Sequence, residues 1–235
     1  MTNKIKILLL TVMLSSSIPM SAQIYGGDYA LPMPTRDIYD TDMMIASLNA
    51  ARIASEYDSR LLDYLEPIMN DLSQNLRAGN YNTCISKVND VFRNVTFYKY
   101  QSSLMGWFLC VRGLSYLGNG NDSYAISDLV KARQYGDSDA DKALSNLFSK
   151  YYEKGYDALK AGNYYECLRN INTALSTTYY NYSIYEMGGI AYESMNNFDY
   201  AKRYYKIAKK KGSPNAFKML DDLKKHKKAY NKRYK

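Results

Sequence analysis

A 34-residue repeat near the C-terminal end constrains this chain more than any other feature of its sequence. Aligning Gly155 on Gly189 brings further small or apolar residues into register. The aligned pairs are Ala158 with Tyr192, Cys167 with Ala201, Ile171 with Tyr205 and Ala174 with Ala208. Small residues are needed where two helices cross closely. The period is that of a helix-turn-helix unit that stacks on copies of itself, so the sequence predicts an α-solenoid and, with it, a binding surface.

The same pattern continues upstream with longer gaps. Gly113 lies 42 residues before Gly155, which is eight more than the 34-residue period. Eight residues are about two turns of an α-helix at 3.6 residues per turn. We therefore expect a lengthened first helix over residues 138–161. A weaker copy further upstream is indicated by the turn at residues 77–81, which echoes the turn at residues 160–164.

These residues resemble the tetratricopeptide repeat family over residues 65–214. The match is most specific in the last two copies, whereas Leu72 stands in the first copy where the family prefers Gly or Ala. A Sel1-like repeat, which has a longer period, is the alternative because the spacings outside the last pair exceed 34 residues. Both families form α/α superhelices. The resemblance implies an all-α fold of about four helix pairs, closed by a C-terminal capping helix.

Apolar periodicity places the helices. Three- and four-residue steps recur from residue 42 onward and no two-residue alternation persists, so we expect about nine helices and no sheet over residues 42–230. Turns between paired helices are expected around Gly79, Asn119, Gly162 and Asn196. Pro67 is expected to interrupt the first run, because proline removes a backbone donor. Residues 42–213 form the predicted repeat domain, and residues 214–235 the capping helix and a basic tail.

The first 22 residues have the features of a signal peptide. Lys4 and Lys6 precede a short apolar run, and small residues follow it up to Ala22. The run is too short to span a bilayer comfortably, which needs about 20 apolar residues. We expect cleavage between Ala22 and Gln23 and a mature protein in the periplasm or at the cell surface. This leader, in a chain rich in Tyr, Asn and Lys, resembles those of exported proteins of Bacteroidetes.

Residues 23–41 follow the leader and contain two glycines and two prolines. This composition predicts an extended arm. The arm is either a linker or a segment that docks in the protein's own groove.

Charge is distributed unevenly along the chain. Residues 202–235 hold 14 basic and two acidic residues, a net charge of +12, whereas residues 23–201 hold 15 basic and 21 acidic residues, a net charge of −6. The basic tail consists of Lys224, Lys225, Lys227, Lys228, Lys232 and Arg233. Its candidate partners are anionic lipid or acidic polysaccharide, with nucleic acid disfavoured for an exported protein. The alternative is a solvated, frayed helix end whose cations suit the helix dipole.

No arrangement of residues in the sequence predicts catalysis, a metal site or a cofactor. The single histidine, His226, lies within the lysine run, so a nucleophile-histidine pair is not credible. The cysteines at 84, 110 and 167 lack the spacing of zinc ligands. Cys84 and Cys167 occupy the small-residue position of the second helix and are expected to be buried. Cys84 with Cys110 is the one pairing close enough to test as a disulfide.

The family resemblance implies a groove lined by the first helix of each pair. Its lining residues would be Met69, Ser73, Arg77, Trp107, Cys110, Leu114, Leu117, Tyr152, Tyr156, Lys160, Glu186, Ile190 and Glu193. Such a surface suits an extended peptide or a helix, with Trp107 and Tyr152 as anchors. The alternative for Trp107 is packing against the preceding second helix. The 26 tyrosines have two alternative roles: they complete the packing between helices, or they form stacking platforms for sugars.

Taken together, these features predict an exported, non-catalytic protein-interaction module in a cell-envelope assembly. The alternatives are a surface glycan-binding accessory protein and an envelope enzyme.

Overall fold

The computed structural model describes residues 59–97 and 102–234, and all regular secondary structure in these residues is helical. The nine helices among them are α1 (Ser59–Arg77), α2 (Tyr81–Asn94), α3 (Ser102–Gly118), α4 (Asp122–Gln134), α5 (Ser138–Lys160), α6 (Tyr164–Ser176), α7 (Tyr182–Ser194), α8 (Phe198–Lys210) and α9 (Ala216–Tyr234). The predicted all-α fold class is confirmed. The predicted signal peptide, the arm and residues 42–58 lie outside the described residues.

Consecutive helices pair as antiparallel hairpins, α1 with α2, α3 with α4, α5 with α6 and α7 with α8. In the hairpin α3–α4, Gly106 faces Tyr135 and Gly113 faces Leu129, so early positions of one helix meet late positions of the other. In α7–α8, the rings of Tyr192 and Tyr200, which flank the turn, stack with their centroids 5.1 Å apart. This is the organisation of an α/α solenoid of helical repeats.

The four hairpin turns share one backbone conformation. In each turn one residue has a positive φ, and these residues are Gly79, Gly120, Gly162 and Asn196. The residue after it donates its N–H to the carbonyl oxygen five positions earlier, over 2.8 to 2.9 Å. This bond satisfies a carbonyl that the helix end leaves without a donor. The turns expected around Gly79, Asn119, Gly162 and Asn196 are confirmed.

Glycines set how closely the paired helices approach. A β-carbon at Gly189 would lie 2.2 Å from the ring of Tyr205, and one at Gly113 would lie 2.8 Å from Leu129. Neither distance leaves room for a side chain. At Gly155 the nearest atoms are 3.6 Å away, an ordinary contact distance. The predicted close crossing is therefore present in α3–α4 and α7–α8 and is looser in α5–α6.

Pro67 does not interrupt the first helix, contrary to the prediction. It lies inside α1, which continues from Ser59 to Arg77. Pro67 and Asp63 are both exposed. Water can therefore satisfy the Asp63 carbonyl, which loses its donor when residue 67 is proline.

The predicted long first helix is confirmed by α5, and the capping helix α9 extends to Tyr234, four residues beyond the predicted end at residue 230.

The chain divides into two compact units, with the boundary between Asp139 and Ala140. Unit 1 contains α1 to α4. Unit 2 contains α5 from Ala140 onward and α6 to α9. The core of unit 2 centres on buried residues of α6 and α7, among them Ile171 and Ile184, and a second core under α9 contains Tyr205 and Leu223.

In unit 1 an ion pair ties three helices together. The Arg112 guanidinium of α3 donates to both carboxylate oxygens of Asp128 in α4, over 2.6 and 2.9 Å. It also donates to Asn89 of α2 over 2.6 Å and lies 5.0 Å from the ring centroid of Phe92. Because Asp128 is buried, this pairing supplies the charge compensation that its carboxylate needs.

All three cysteines are buried and free. The prediction that Cys84 and Cys167 fill small-residue positions in the core is confirmed, and the structure does not join Cys84 to Cys110. Burial raises the pKa of the Cys167 thiol to about 11. Within the described part of the chain, no helix is long and apolar enough to cross a membrane.

Candidate interaction surface

Helix α5 carries a stripe of aromatic side chains that ends in a lysine. Phe148, Tyr152, Tyr156 and Lys160 follow one another at four-residue steps, which places them on one face of the helix. The rings of Phe148 and Tyr152 stack with centroids 6.0 Å apart. Tyr156 is 45% exposed, and the Lys160 ammonium lies 4.2 Å from its ring centroid. The stripe therefore passes from half-buried to exposed positions along the helix.

Helix α7 is held firmly on the side opposite its exposed residues. Gly188 and Gly189 bring its backbone against the rings of Tyr204 and Tyr205 in α8, with no room for a β-carbon at either glycine. At its start, the Asn181 side chain accepts a hydrogen bond from the N–H of Ile184 over 2.9 Å. Such a cap fixes where the helix begins. The remaining face of α7 presents Ile190 to solvent.

Tyr152 links α5 to α7. Burial raises the pKa of the Tyr152 hydroxyl, its hydrogen bond with Ser183 of α7 lowers it, and nearby Tyr156 and Glu186 raise it further. Helices α5 and α7 run in the same direction, because each is antiparallel to α6 between them. Further along, Tyr156 and Lys160 follow on α5, and Ile190 and Glu193 follow on α7. We call Tyr152, Tyr156, Lys160, Ile190 and Glu193 the α5–α7 surface.

Glu193 is the acidic residue of this surface, and both of its carboxylate oxygens have partners within the protein. One of its carboxylate oxygens accepts a hydrogen bond from the buried Tyr205 hydroxyl over 2.7 Å. The other lies 2.5 Å from Nδ1 of His226 in α9. Burial and the bond to Glu193 raise the pKa of Tyr205 well above its ordinary value. Glu193 thus joins α7 to α8 and to the capping helix, while part of its side chain still reaches solvent.

A second carboxylate of α7, Glu186, is buried below the loop between α8 and α9. It accepts a hydrogen bond from the Ser213 hydroxyl. The same hydroxyl accepts the N–H of Ala216 over 3.0 Å and so caps α9. Glu186 was predicted to line the groove, but its carboxyl group is buried and hydrogen-bonded inside the protein, so it is not presented to a ligand.

The groove residues predicted in unit 1 need correction. Trp107 and Leu114 are 4% and 8% exposed, so neither is available to a partner. Trp107 packs edge-on against Phe108, at 5.0 Å between ring centroids, and Phe108 in turn contacts Phe92 of α2. The exposed groove position expected for Trp107 is therefore wrong, and the side chain is buried beside a ring that itself packs on the preceding second helix. Arg77, at the end of α1, is exposed.

The predicted basic tail is helical as far as Tyr234. Lys224, Lys225, Lys227, Lys228, Lys232 and Arg233 are all exposed on α9. Three of them pair with acidic side chains. Lys225 pairs with Asp221 and Asp222, Lys224 lies 3.9 Å from Asp221, and Lys227 reaches Asp199 of α8 over 2.8 Å. Part of the tail's positive charge is therefore neutralised locally.

Sequence reasoning missed Phe148, although its four-residue spacing from Tyr152 could have identified it. In the part of the chain that the structure describes, no group of three or more His, Cys, Asp or Glu side chains could hold a metal ion. Comparison of the chain with models of known protein families, with curated proteins and with solved structures finds no match.

Proposed function

We propose that this protein is a non-catalytic, tetratricopeptide-like interaction module that binds a protein segment at the α5–α7 surface. The observation that carries the proposal is the exposure of Tyr156 and Ile190 on first helices of consecutive hairpins. Hairpins of this kind are typical of repeat proteins that bind ligands along their first helices. Exposed aromatic side chains are the usual anchors of such interfaces.

The charges beside these anchors define the partner's chemistry. Lys160 lies at one end of α5, and Glu193 lies on α7 with its carboxylate shared between Tyr205 and His226. A segment with an apolar or aromatic side chain flanked by an acidic residue fits this arrangement, because its carboxylate can reach Lys160. The N-terminal sequence supports placing the interaction outside the cytoplasm, in a cell-envelope assembly.

A matched pair of tyrosines tests the proposal. A photo-crosslinking residue at position 156 of the mature chain is expected to capture a defined protein, which mass spectrometry would identify. Tyr156→Ser is expected to weaken binding of that protein by tenfold or more, since hot-spot side chains contribute about 2 kcal/mol. Tyr165→Ser is the control, because Tyr165 is a strongly exposed tyrosine on the second helix α6. Equal loss of binding in both variants would contradict the proposed surface.

A glycan-binding accessory role is the second candidate, and the stacked tyrosines favour it. Tyr192 and the exposed Tyr200 stack in hairpin α7–α8, and Tyr116 and the exposed Tyr124 lie at the equivalent positions of α3–α4, with centroids 5.3 Å apart. Exposed rings of this kind can bind a sugar face. Under this reading, sugars would compete for binding, and Tyr200→Ser would impair it while Tyr156→Ser would not.

A further inference from the structure

Four lysines and two exposed rings gather where α8 ends and α9 begins. The Lys209 ammonium lies 3.8 Å from the ring centroid of Phe217, and the Lys211 ammonium lies 3.6 Å from that of Tyr180. Lys210 and Lys218 are the exposed neighbours of these residues in the chain. We call Tyr180, Lys209, Lys210, Lys211, Phe217 and Lys218 the lysine–aromatic cluster.

The lysines of this cluster lack acidic partners within the part of the chain that the structure describes. Among the described residues, none of its four lysines forms an ion pair with a carboxylate. Asp221 and Asp222, one turn further along α9, are engaged by Lys224 and Lys225. Glu186, the carboxylate that the loop itself contacts, is buried under Ser213. The cluster therefore presents four cations to solvent.

Both aromatic rings of the cluster are exposed to solvent. Phe217 is 66% exposed and Tyr180 is 54% exposed, and Ile207 of α8 adds a further exposed apolar side chain nearby in the chain. A phenyl ring has no polar atom that water can satisfy, so its exposure leaves apolar area in solvent. Cation–π attraction to the two ammonium groups over these rings offsets part of the cost of leaving this apolar area in solvent.

We propose that the lysine–aromatic cluster is a docking surface for an anionic lipid bilayer. Lysines near a bilayer are attracted to anionic headgroups, with an affinity gain of roughly fivefold for each lysine. Aromatic and aliphatic side chains beside them enter the interfacial region, where apolar area leaves water. Phe217 and Tyr180 supply that area, while the lysine side chains are long enough to leave the rings and reach phosphate groups.

The same features distinguish a bilayer from a soluble polyanion. An acidic polysaccharide is recognised by the lysines, but it offers no apolar layer to Phe217. Binding to a bilayer therefore depends on both the charges and the phenyl ring, whereas binding to a soluble polyanion depends mainly on the charges.

The basic tail supplies a control with the same change in charge. Lys224, Lys225, Lys228 and Lys232 lie further along α9, and two of them pair with Asp221 or Asp222. Replacing these four lysines by Gln removes as much charge as replacing Lys209, Lys210, Lys211 and Lys218. A difference between the two variants then reports the position of the charge and not its total.

The experiment uses the mature chain and vesicles of phosphatidylcholine with or without phosphatidylglycerol. Co-sedimentation is expected with the anionic vesicles only, and to weaken as salt rises. The cluster variant with four Lys→Gln changes is expected to lose at least tenfold in vesicle affinity, and the tail variant less than threefold. Phe217→Ser is expected to weaken vesicle binding severalfold while leaving binding to a soluble acidic polysaccharide unchanged.

Three results would overturn the proposal. They are the absence of binding to anionic vesicles, equal losses in the cluster and tail variants, and an unaltered vesicle affinity of Phe217→Ser. The last result would assign the lysines to soluble polyanions. Circular dichroism melting of each variant checks that the fold is retained, and Phe217→Leu, which keeps an apolar side chain, should retain more vesicle binding than Phe217→Ser.

Discussion

Helices α3 and α5 both begin a hairpin, yet they bury their side chains to very different extents. In α3, Trp107, Phe108, Val111 and Leu114 are all buried. In α5, the aromatic stripe runs from half-buried Tyr152 to exposed Tyr156. Equivalent places in a repeat therefore do not carry equivalent roles. The position of a residue in the repeat shows which side chains share a face, and packing partners elsewhere in the chain decide whether that face is covered.

The largest expected effect contrasts the aromatic residues of these two helices. Trp107→Ala removes a large buried side chain and is expected to lower the free energy of unfolding by about 3 to 5 kcal/mol. Tyr156→Ala is expected to change it by less than about 1 kcal/mol, because Tyr156 is 45% exposed. Urea denaturation of both variants measures the two values. Comparable losses in the two would mean that α5 is covered in solution as α3 is.

A smaller effect contrasts the tight hairpin α7–α8 with the looser hairpin α5–α6. Gly189→Ala forces a β-carbon against the buried ring of Tyr205, so we expect a loss of about 1 to 3 kcal/mol from overpacking. Gly155→Ala meets no close atom, so the higher helix propensity of alanine should stabilise the protein by about 0.5 to 1 kcal/mol. Opposite shifts in melting temperature are the expected outcome. A gain in both variants would show that the Gly189 crossing is not close.

The smallest expected effect concerns pH and the buried thiol of Cys167 in α6. Its pKa is raised from an ordinary 9.0 to about 11 because the thiolate is poorly solvated in the core. The folded state therefore holds this proton more tightly than the unfolded chain does. The resulting stability is fully present below pH 9 and is lost as the pH rises from 9 to about 11.

Urea denaturation under reducing conditions, at several pH values in this interval, measures that loss. Cys167→Ala is the control and should show a shallower decline in the free energy of unfolding than the wild type. Parallel declines in the two proteins would assign the pH dependence to other groups, such as the tyrosines.

Much of the fold follows from the sequence because it is set by local signals. The Gly-Asn pairs that end the first helices and the 42-residue spacing before Gly155 predicted the turns and the length of α5, since each depends on residues close in the chain. The burial of Trp107 did not follow, because burial depends on tertiary packing, such as the contact of the neighbouring Phe108 ring with Phe92 of α2. The continuity of α1 through Pro67 also depends on solvent exposure, which periodicity does not give.

The two candidate surfaces also differ in how far the sequence predicts them. The residues of the α5–α7 surface were expected from the resemblance to tetratricopeptide repeats, which assigns groove positions along single helices. The lysine–aromatic cluster was not expected, because it needs Lys211 beside Tyr180, which is 31 residues earlier in the chain. The density of charge along the sequence favours the tail of α9 over this cluster. Only the three-dimensional contacts separate lysines that have acidic partners from those that do not.

The Ser213 hydroxyl links the stability of the first turn of the capping helix to α7. It holds the first turn of α9 through the N–H of Ala216 and is itself held by Glu186. Opening of α9 therefore leaves a buried carboxylate of α7 without its donor, which couples the two helices in one cooperative opening unit. Hydrogen exchange at the start of α9 should consequently slow when a ligand rigidifies α7, even though the ligand contacts none of the exchanging amides.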